Sequence, residues 1–512
     1  MGFSGWANTT NNASTTESFS ATDSRHHTPS AIIIGADLTG LSAAYELQKS
    51  GIKVTVLTEH DSVGKPEYSF TRHFLDATTP YTDISYPNTS QQDALHEQVH
   101  GYIALFGMQG LDSKALPTDT LKGNYYLNGK LIGFHDLLNV FNQKVTPDYQ
   151  RFWQALKGLN RNSVAALEAK TKQRYLSQHP YSLHYENRLN QPLTAQDWLN
   201  SLALQPSALM LAQHHIKAVF GEPSKVSALS LGKMQKQHNH QKDQQAQVYR
   251  ILGGDQLLAN SLANKLASSI LINQKISTIT HNHEGVLVST QQQDFSANQL
   301  LITRALPKLA ELEFSPALPH VVLSSAQRLN YGAFHKVILN YQPEFFEILK
   351  TQNSKLPMGW IMGNSSQDSS QSLPQPSANT QQTNPTLISY SSGNLIEGQV
   401  YNNEQHIIAI KRAQLANQFP ISKQFFISAS VQAWHREPWP GGNYITDSAQ
   451  ELTSYWNSFS NSQEKVYFAS SQFDNQTPGT LEGALYAGKK VALKMAQQIY
   501  IKAASQQVAS GY

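Results

Sequence analysis

Residues 31–59 read AIIIGADLTGLSAAYELQKSGIKVTVLTE. Ala31 to Ile34 is a short apolar, β-branched run, the pattern of a strand buried on both faces. Gly35 then permits a sharp turn. From Leu38 the apolar period lengthens, with Leu41, Ala44 and Tyr45 at helical spacing. Gly51 closes that helix, just after Lys49. Lys53 to Leu57 is a second strand. Strand, turn, helix and strand make one βαβ half-unit of the length a dinucleotide fingerprint needs, so the fold class is α/β.

In that fingerprint, G-x-G-x-x-G, the first glycine makes the turn. The second lets backbone approach a pyrophosphate, and the third lets helix and strand pack closely. Here the first is Gly35 and the third is Gly40, but the second position holds Asp37. Its side chain brings a negative charge to a helix N-terminus that favours anions. The acid expected at the end of the second strand, for ribose hydroxyls, falls on Thr58. Glu59 is next door, but adjacent strand residues face opposite sides. Two readings follow from this stretch: a working dinucleotide site, or a βαβ unit kept as scaffold.

The chain has 512 residues, enough for two or three domains. Lys and Arg number 39 against 36 Asp and Glu, a near balance that argues against a dedicated nucleic-acid surface. No apolar run approaches the length of a membrane span. Cysteine is absent, which excludes disulfides, a thiolate nucleophile and thiolate-linked cofactors. Residues 1–28 are polar and lack the basic start and apolar core of a signal peptide, so they read as a disordered leader on a cytoplasmic protein. Residues 364–385 are of low complexity and read as a disordered loop. His238 and His240 lie in a polar stretch with no third ligand at metal-site spacing, so a solvated loop is the better reading and no metal is expected.

Between these segments stand ordered blocks. Residues 136–231 are mostly helical in pattern. Val248 to Leu266 reads as strand, glycine turn and helix. Ile270 to Thr290 reads as strands around the turn His281–Gly285. Gln299 to Pro307 is a buried strand, and Phe334 to Gln342 (FHKVILNYQ) a strand with a lysine in it. KVYFAS and the later GTLEGALYAGKKVALKMAQQI form a strand, a loop and a closing helix.

This order of blocks resembles the flavin-containing amine oxidase family, which includes monoamine oxidases and L-amino-acid oxidases. The resemblance runs from about Ala31 to Ile499. It is carried by the opening IIIGADLTGLSAAYELQKSGIKVTVLTEHDSVGKP, by GGDQLLANSLA, YGAFHKVILNY and WHREPWPGGNY, and by VYFASSQFDNQTPGTLEGALYAG. It implies a discontinuous Rossmann-like FAD-binding domain from 28–80, 245–315 and 430–505. An inserted α+β substrate domain, 81–244 and 316–429, would hold a helical subdomain at 136–231. It also implies FAD as cofactor and oxidation of a small amine or amino acid to the imine, with oxygen as acceptor.

The resemblance assigns roles residue by residue. Lys336 falls on the lysine that reaches through water towards the flavin. A lysine mid-strand is costly to bury without a task, although it can also snorkel from a strand edge. Trp434 and Tyr444 keep the spacing around PGG, so Tyr444 is one wall of an aromatic cage or a core aromatic. Leu481 falls where a helix-start N–H meets the pyrimidine end of the ring. Gly35, Gly40, Glu59, Gly64, Lys65, Ile276 and Ser471 are carried over as the remaining cofactor-binding positions.

At the phosphate end the pattern departs. The family's G-G-R is Gly64-Lys65-Pro66 here, and Pro66 has neither N–H nor charge. Lys65 restores a point charge without the arginine's fork. The family's F-A-G-E is Phe468-Ala469-Ser470-Ser471. With Asp37 and Thr58, four contacts to phosphate or sugar have changed. On the substrate side, Ser85 stands where L-amino-acid oxidases carry a carboxylate-gripping arginine, which favours an amine without a carboxylate. Two functions follow: an FAD-dependent amine oxidase, or an FAD-free pseudoenzyme acting as a binding or assembly subunit, as a homodimer or with an active paralogue.

Overall fold

The computed structural model describes residues 28–63, 83–86, 97–108, 110–113, 125–127, 130–132, 145–178, 193–220, 222–232, 247–251, 255–303, 306–328, 334–351, 360–366, 383–392, 403–433, 459, 465–471 and 481–510. The fold is mixed α/β. β1 (Ser30–Ile34), α1 (Leu38–Lys49) and β2 (Lys53–Leu57) form the expected half-unit. With β8 (Ile270–Leu271), β12 (Gln299–Ile302) and β18 (Val466–Phe468) they build one parallel sheet, in the order β18-β12-β1-β2-β8. The beginning, middle and end of the chain thus meet in one sheet.

These strands are apolar throughout because both faces are covered. Ile33, Leu301 and Tyr467 pack with Leu41 and Leu47 of α1 and with Leu485 and Met495 of α12 (Leu481–Ser510). The alternate residues Ile32, Ile34, Leu300, Ile302, Val466 and Phe468 pack on the other side with Val288 and Leu312. The two-residue period of a strand sorts them. α12 crosses α1 closely at Gly488, where a Cβ would stand 2.4 Å from the Thr39 carbonyl oxygen.

A second sheet pairs β9 (Ile276–His281), β10 (Val286–Thr290) and β11 (Asp294–Ala297) antiparallel, with β13 (Glu313–Ser315) parallel to β9. A third is antiparallel, in the order β15 (Trp360–Ser366), β16 (Thr383–Ser392), β14 (Phe334–Tyr341), β17 (Phe426–Ala433). Val337, Leu339, Tyr341 and Leu387 of this sheet pack under α9 (Pro343–Thr351) and α10 (Glu404–Gln418). The short α11 (Ser422–Phe425) leads into β17.

β3 (Asp83–Tyr86) and β4 (Gly110–Ser113) flank β7 (Gln247–Ile251), and β5 (Tyr125–Leu127) pairs with β6 (Lys130–Ile132). α3 (Val145–Lys157), α4 (Arg161–Gln178), α5 (Ala195–Ser201) and α6 (Pro206–Phe220) occupy the stretch read as helical, with a core of their own around Phe152, Trp198 and Ile216. α2 (Glu97–Leu105) and α7 (Asp255–Lys265) lie against α1, and α8 (His320–Arg328) follows β13.

The low-complexity stretch needs one correction. Asn364–Ser366 and Thr383–Pro385 are strand, paired from Asn364 with Pro385 to Ser366 with Thr383. The hairpin partner supplies hydrogen bonds that polar composition does not signal. Pro385 is tolerated because β14 pairs with β16 only as far as Thr386, so no bond is lost on that side. The leader up to residue 27, residues 233–246 and residues 367–382 lie outside the described residues. No described helix is long and apolar enough to cross a membrane.

Candidate functional site

β1, β12 and β18 end side by side, with Ile34 opposite Ile302 and Ile302 opposite Phe468. β1 has its sequence neighbour β2 on one side and the distant β12 on the other. Open α/β sheets take ligands outside the carboxyl ends of their strands at such a switch point. The turn after β1 is fixed by Gly35, whose φ of 125° is open to glycine and whose N–H donates to the Leu57 carbonyl at 2.9 Å.

Asp37 is the N-cap of α1. Its backbone is extended (φ −74°, ψ 173°), and its Oδ1 accepts the Gly40 N–H at 2.6 Å. The residue is 3% exposed. A short side-chain oxygen at this position satisfies one of the helix's unpaired N–H groups, and a negative charge there is favoured by the helix dipole. A bound phosphate would use the same donors and field. The anion at this N-terminus is therefore the protein's own. Gly40 is retained for another reason: a Cβ there would stand 2.1 Å from the Gly35 carbonyl oxygen and 3.0 Å from Thr303 Oγ1. The two surviving glycines are the ones the backbone needs.

Thr58 is buried and ties β2 to its neighbours. Its N–H donates to the Leu271 carbonyl at 3.1 Å, and its own carbonyl accepts the Gln274 N–H at 2.8 Å. Its hydroxyl accepts the His60 N–H at 3.3 Å. Glu59 beside it is partly buried. Ile276 opens β9 and packs with Ile32, Ile34 and Leu57. Ser470 and Ser471 follow β18 and are both buried; Ser471, 1% exposed, has a hydroxyl with no hydrogen-bond partner among the described residues.

Leu481 starts α12 and joins one apolar cluster with Ala36, Leu38 and Ala469, so the closing helix begins against the turn after β1. Its neighbour Glu482 was missed by the sequence reading. It is 5% exposed, and its two oxygens accept the N–H groups of Gln98 at 3.0 Å and Val99 at 2.9 Å, in the first turn of α2. The signal was an acid among small and apolar residues in LEGALYAG, but its partners lie nearly four hundred residues earlier.

Lys336 sits on the inner strand β14, in register with Tyr390 on β16 and Gln432 on β17. It shares strand parity with Ile338 and Asn340, while Val337 and Leu339 belong to the helix-covered core. Ser85 lies on β3, in register with Val248. Trp434, Tyr444, Gly64, Lys65 and Pro66, and also His238 and His240, lie outside the described residues. Among the described residues no group of three His, Cys, Asp or Glu is placed to hold a metal ion.

The described residues of the turn do not fit a dinucleotide diphosphate. A carboxylate stands on the helix donor the phosphate would take, and the ribose-binding acid is a threonine whose hydroxyl is engaged with backbone. No reaction step through a flavin follows from this geometry.

A family model described as flavin containing amine oxidoreductase matches residues 94–496, and one described as an NAD(P)-binding Rossmann-like domain matches residues 33–79. The chain is 21% identical to the flavin-containing amine oxidase A of Sus scrofa over 489 residues, 91% of this chain and 84% of that protein. It is 20% identical to the human flavin-containing amine oxidase B over 484 residues, 90% of this chain and 85% of that one. Among solved structures, cyclohexylamine oxidase from Brevibacterium oxydans superposes with a TM-score of 0.68 at 17% identity, covering 93% of this chain and all of that one. Putrescine oxidase bound to putrescine superposes with a TM-score of 0.66 at 16% identity, covering 91% and 99%.

Proposed function

Because the chain belongs to the flavin-containing amine oxidoreductase family, for which FAD is the implied cofactor, we propose that it is a member that keeps the fold without the grip on FAD. It serves as a binding or assembly subunit, as a homodimer or beside an active paralogue. The observation that carries this reading is the Asp37 carboxylate on the Gly40 N–H, buried at the N-terminus of α1. Asp37, Thr58, Pro66 and Ser471 together remove four phosphate or sugar contacts. At about 1–3 kcal/mol each, their loss approaches or exceeds a micromolar binding energy of about 8 kcal/mol, even discounted for non-additivity. Asp37 adds repulsion to loss.

The test is an FAD titration by flavin fluorescence quenching, with wild type beside Asp37→Gly and Asp37→Gly/Pro66→Arg. Weak or absent binding in the wild type, with a clear gain in the double variant, is the expected result. Asp37→Gly should supply most of the gain, because glycine removes side chain and charge while keeping an acceptable cap residue. Stoichiometric, tight FAD in the wild type would return the chain to the active oxidases.

One observation favours that second reading. A buried hydroxyl without a partner, as on Ser471, is the kind of group a ligand satisfies. Under this reading the substrate is a small amine without a carboxylate, consistent with Ser85 and with the amines for which cyclohexylamine oxidase and putrescine oxidase are named. Amine-dependent hydrogen peroxide release by the FAD-loaded protein is its measurement.

A further inference from the structure

β17 stands at the edge of the third sheet. Among the described residues it pairs with β14 alone. Alternate residues of an edge strand turn their N–H and C=O groups outward, as a row that another strand can take up. The edges of the first two sheets are short: β8, β18, β11 and β13 run for two, three, four and three residues. β3 and β4, flanking β7, have four each. Short edges resist pairing with other chains. β17 runs for eight residues, one more than β15 on the far edge of its own sheet.

Nothing in β17 guards it against such pairing. Its sequence, FISASVQA from Phe426 to Ala433, has no charged residue and no proline. The one shift in its register with β14 falls between Asn340 and Tyr341, at the start of β17, and leaves 428–433 regular. Ser428 and Ser430 are exposed, and Ile427 at the shift is 56% exposed.

A second copy of the same edge fits it. Two β17 strands set antiparallel about a two-fold axis normal to the sheet return each face to its like, so the helices α9 and α10 of both copies stay on one side. Centred on Ser430, this sets Val431 opposite the other copy's Ala429, large against small, and Ser428 opposite Gln432. No like charges meet, and the pair closes on itself because each copy's edge is then used up. A strand of a different protein would find no charge on this edge by which to be selected.

We propose that two copies of the chain pair edge to edge along β17, so that their third sheets run on as one. The pairing rests on the homodimeric form of the assembly role proposed above. It is tested without flavin, so oligomeric state and FAD affinity are read separately.

Sedimentation velocity of the full chain over a range of concentrations measures its mass. The wild type should be a dimer at micromolar concentration. Ser430→Lys and Ser430→Glu each set like charges against each other at the axis and should weaken the dimer by about tenfold. An equimolar mixture of the two variants should restore it, a result that unfolding cannot produce. The chain has no cysteine of its own, so Ser430→Cys should give one interchain disulfide at the axis under copper-catalysed air oxidation. A wild type that stays monomeric overturns the proposal. So does a dimer indifferent to both charges, or one that Ser430→Cys fails to cross-link, since either uses another surface. Uptake of a labelled Thr-Val repeat peptide by a monomeric wild type would assign the edge to a foreign strand, and that too rejects the second copy.

Discussion

Asp37 does in this chain what a ligand does in a working dinucleotide site. Its carboxylate pairs with a helix-terminal N–H and sits in the favourable end of the helix dipole. The side chain supports the fold as the cap of α1. A different side chain shows the opposite balance. Lys411 lies on α10 between Ile407 and Leu415, in the stripe facing the third sheet, and is 8% exposed. Burial pushes its amine down from 10.5 to about 8. The folded state therefore binds fewer protons than the unfolded chain between pH 8 and 10.5, so stability contributed by this site rises with pH across that window. Below pH 8 both states are protonated and the full penalty applies, about 3 kcal/mol from the shift. Lys411→Met should stabilise the protein at pH 7 and flatten the rise above pH 8. Urea midpoints at pH 7 and pH 10 measure it; a midpoint unchanged by the substitution at pH 7 refutes the assignment.

Between elements, the joint of α12, α1 and α2 is the most specific. Glu482 projects from the closing helix to take two N–H groups at the start of α2, and Lys489 donates to Gln98 Oε1 at 2.9 Å in the same joint. Glu482→Ala leaves two buried N–H groups without their acceptor and should cost about 1–3 kcal/mol. Amide exchange of Gln98 and Val99 should accelerate selectively, by more than in Glu482→Gln, which keeps one acceptor oxygen; protection unchanged in both variants would contradict the capping role. This joint also marks the limit of what the sequence made legible. The strands β1, β2 and β12 and helix α1 could be read because burial on both faces, or on one helical stripe, leaves a local apolar period. The surviving Gly35 and Gly40 could be read because backbone geometry requires them. Asp37 was visible as a misfit, but its bond to Gly40 needed the helix to be built first. Glu482 had no local sign of its partners on α2. The strand ends at Asn364–Ser366 and Thr383–Pro385 were hidden by polar composition, since only pairing across the hairpin makes them strand.

At the scale of the whole molecule, the parallel sheet draws β1 and β2 from the start of the chain, β8 and β12 from its middle and β18 from its end. A ligand seated at the carboxyl edge of that sheet would hold all three parts of the chain together, so its binding energy would appear as global stability. A ligand that binds only the folded state adds about 2.7 kcal/mol at a hundredfold excess over its Kd. If Asp37 and Pro66 are what exclude FAD, saturating flavin should leave the melting temperature of the wild type unchanged and raise that of Asp37→Gly/Pro66→Arg by a few degrees. The same experiment separates a lost grip from a lost crevice. A rise in the double variant alone means the sheet edge still has room for the cofactor and only the phosphate contacts are missing. A rise of equal size in the wild type means the carboxylate yields to phosphate, and Asp37 is then an unusual cap in a chain that holds flavin. No rise in either means that residues beyond these two fill the edge of a sheet that is assembled from three distant segments of the chain.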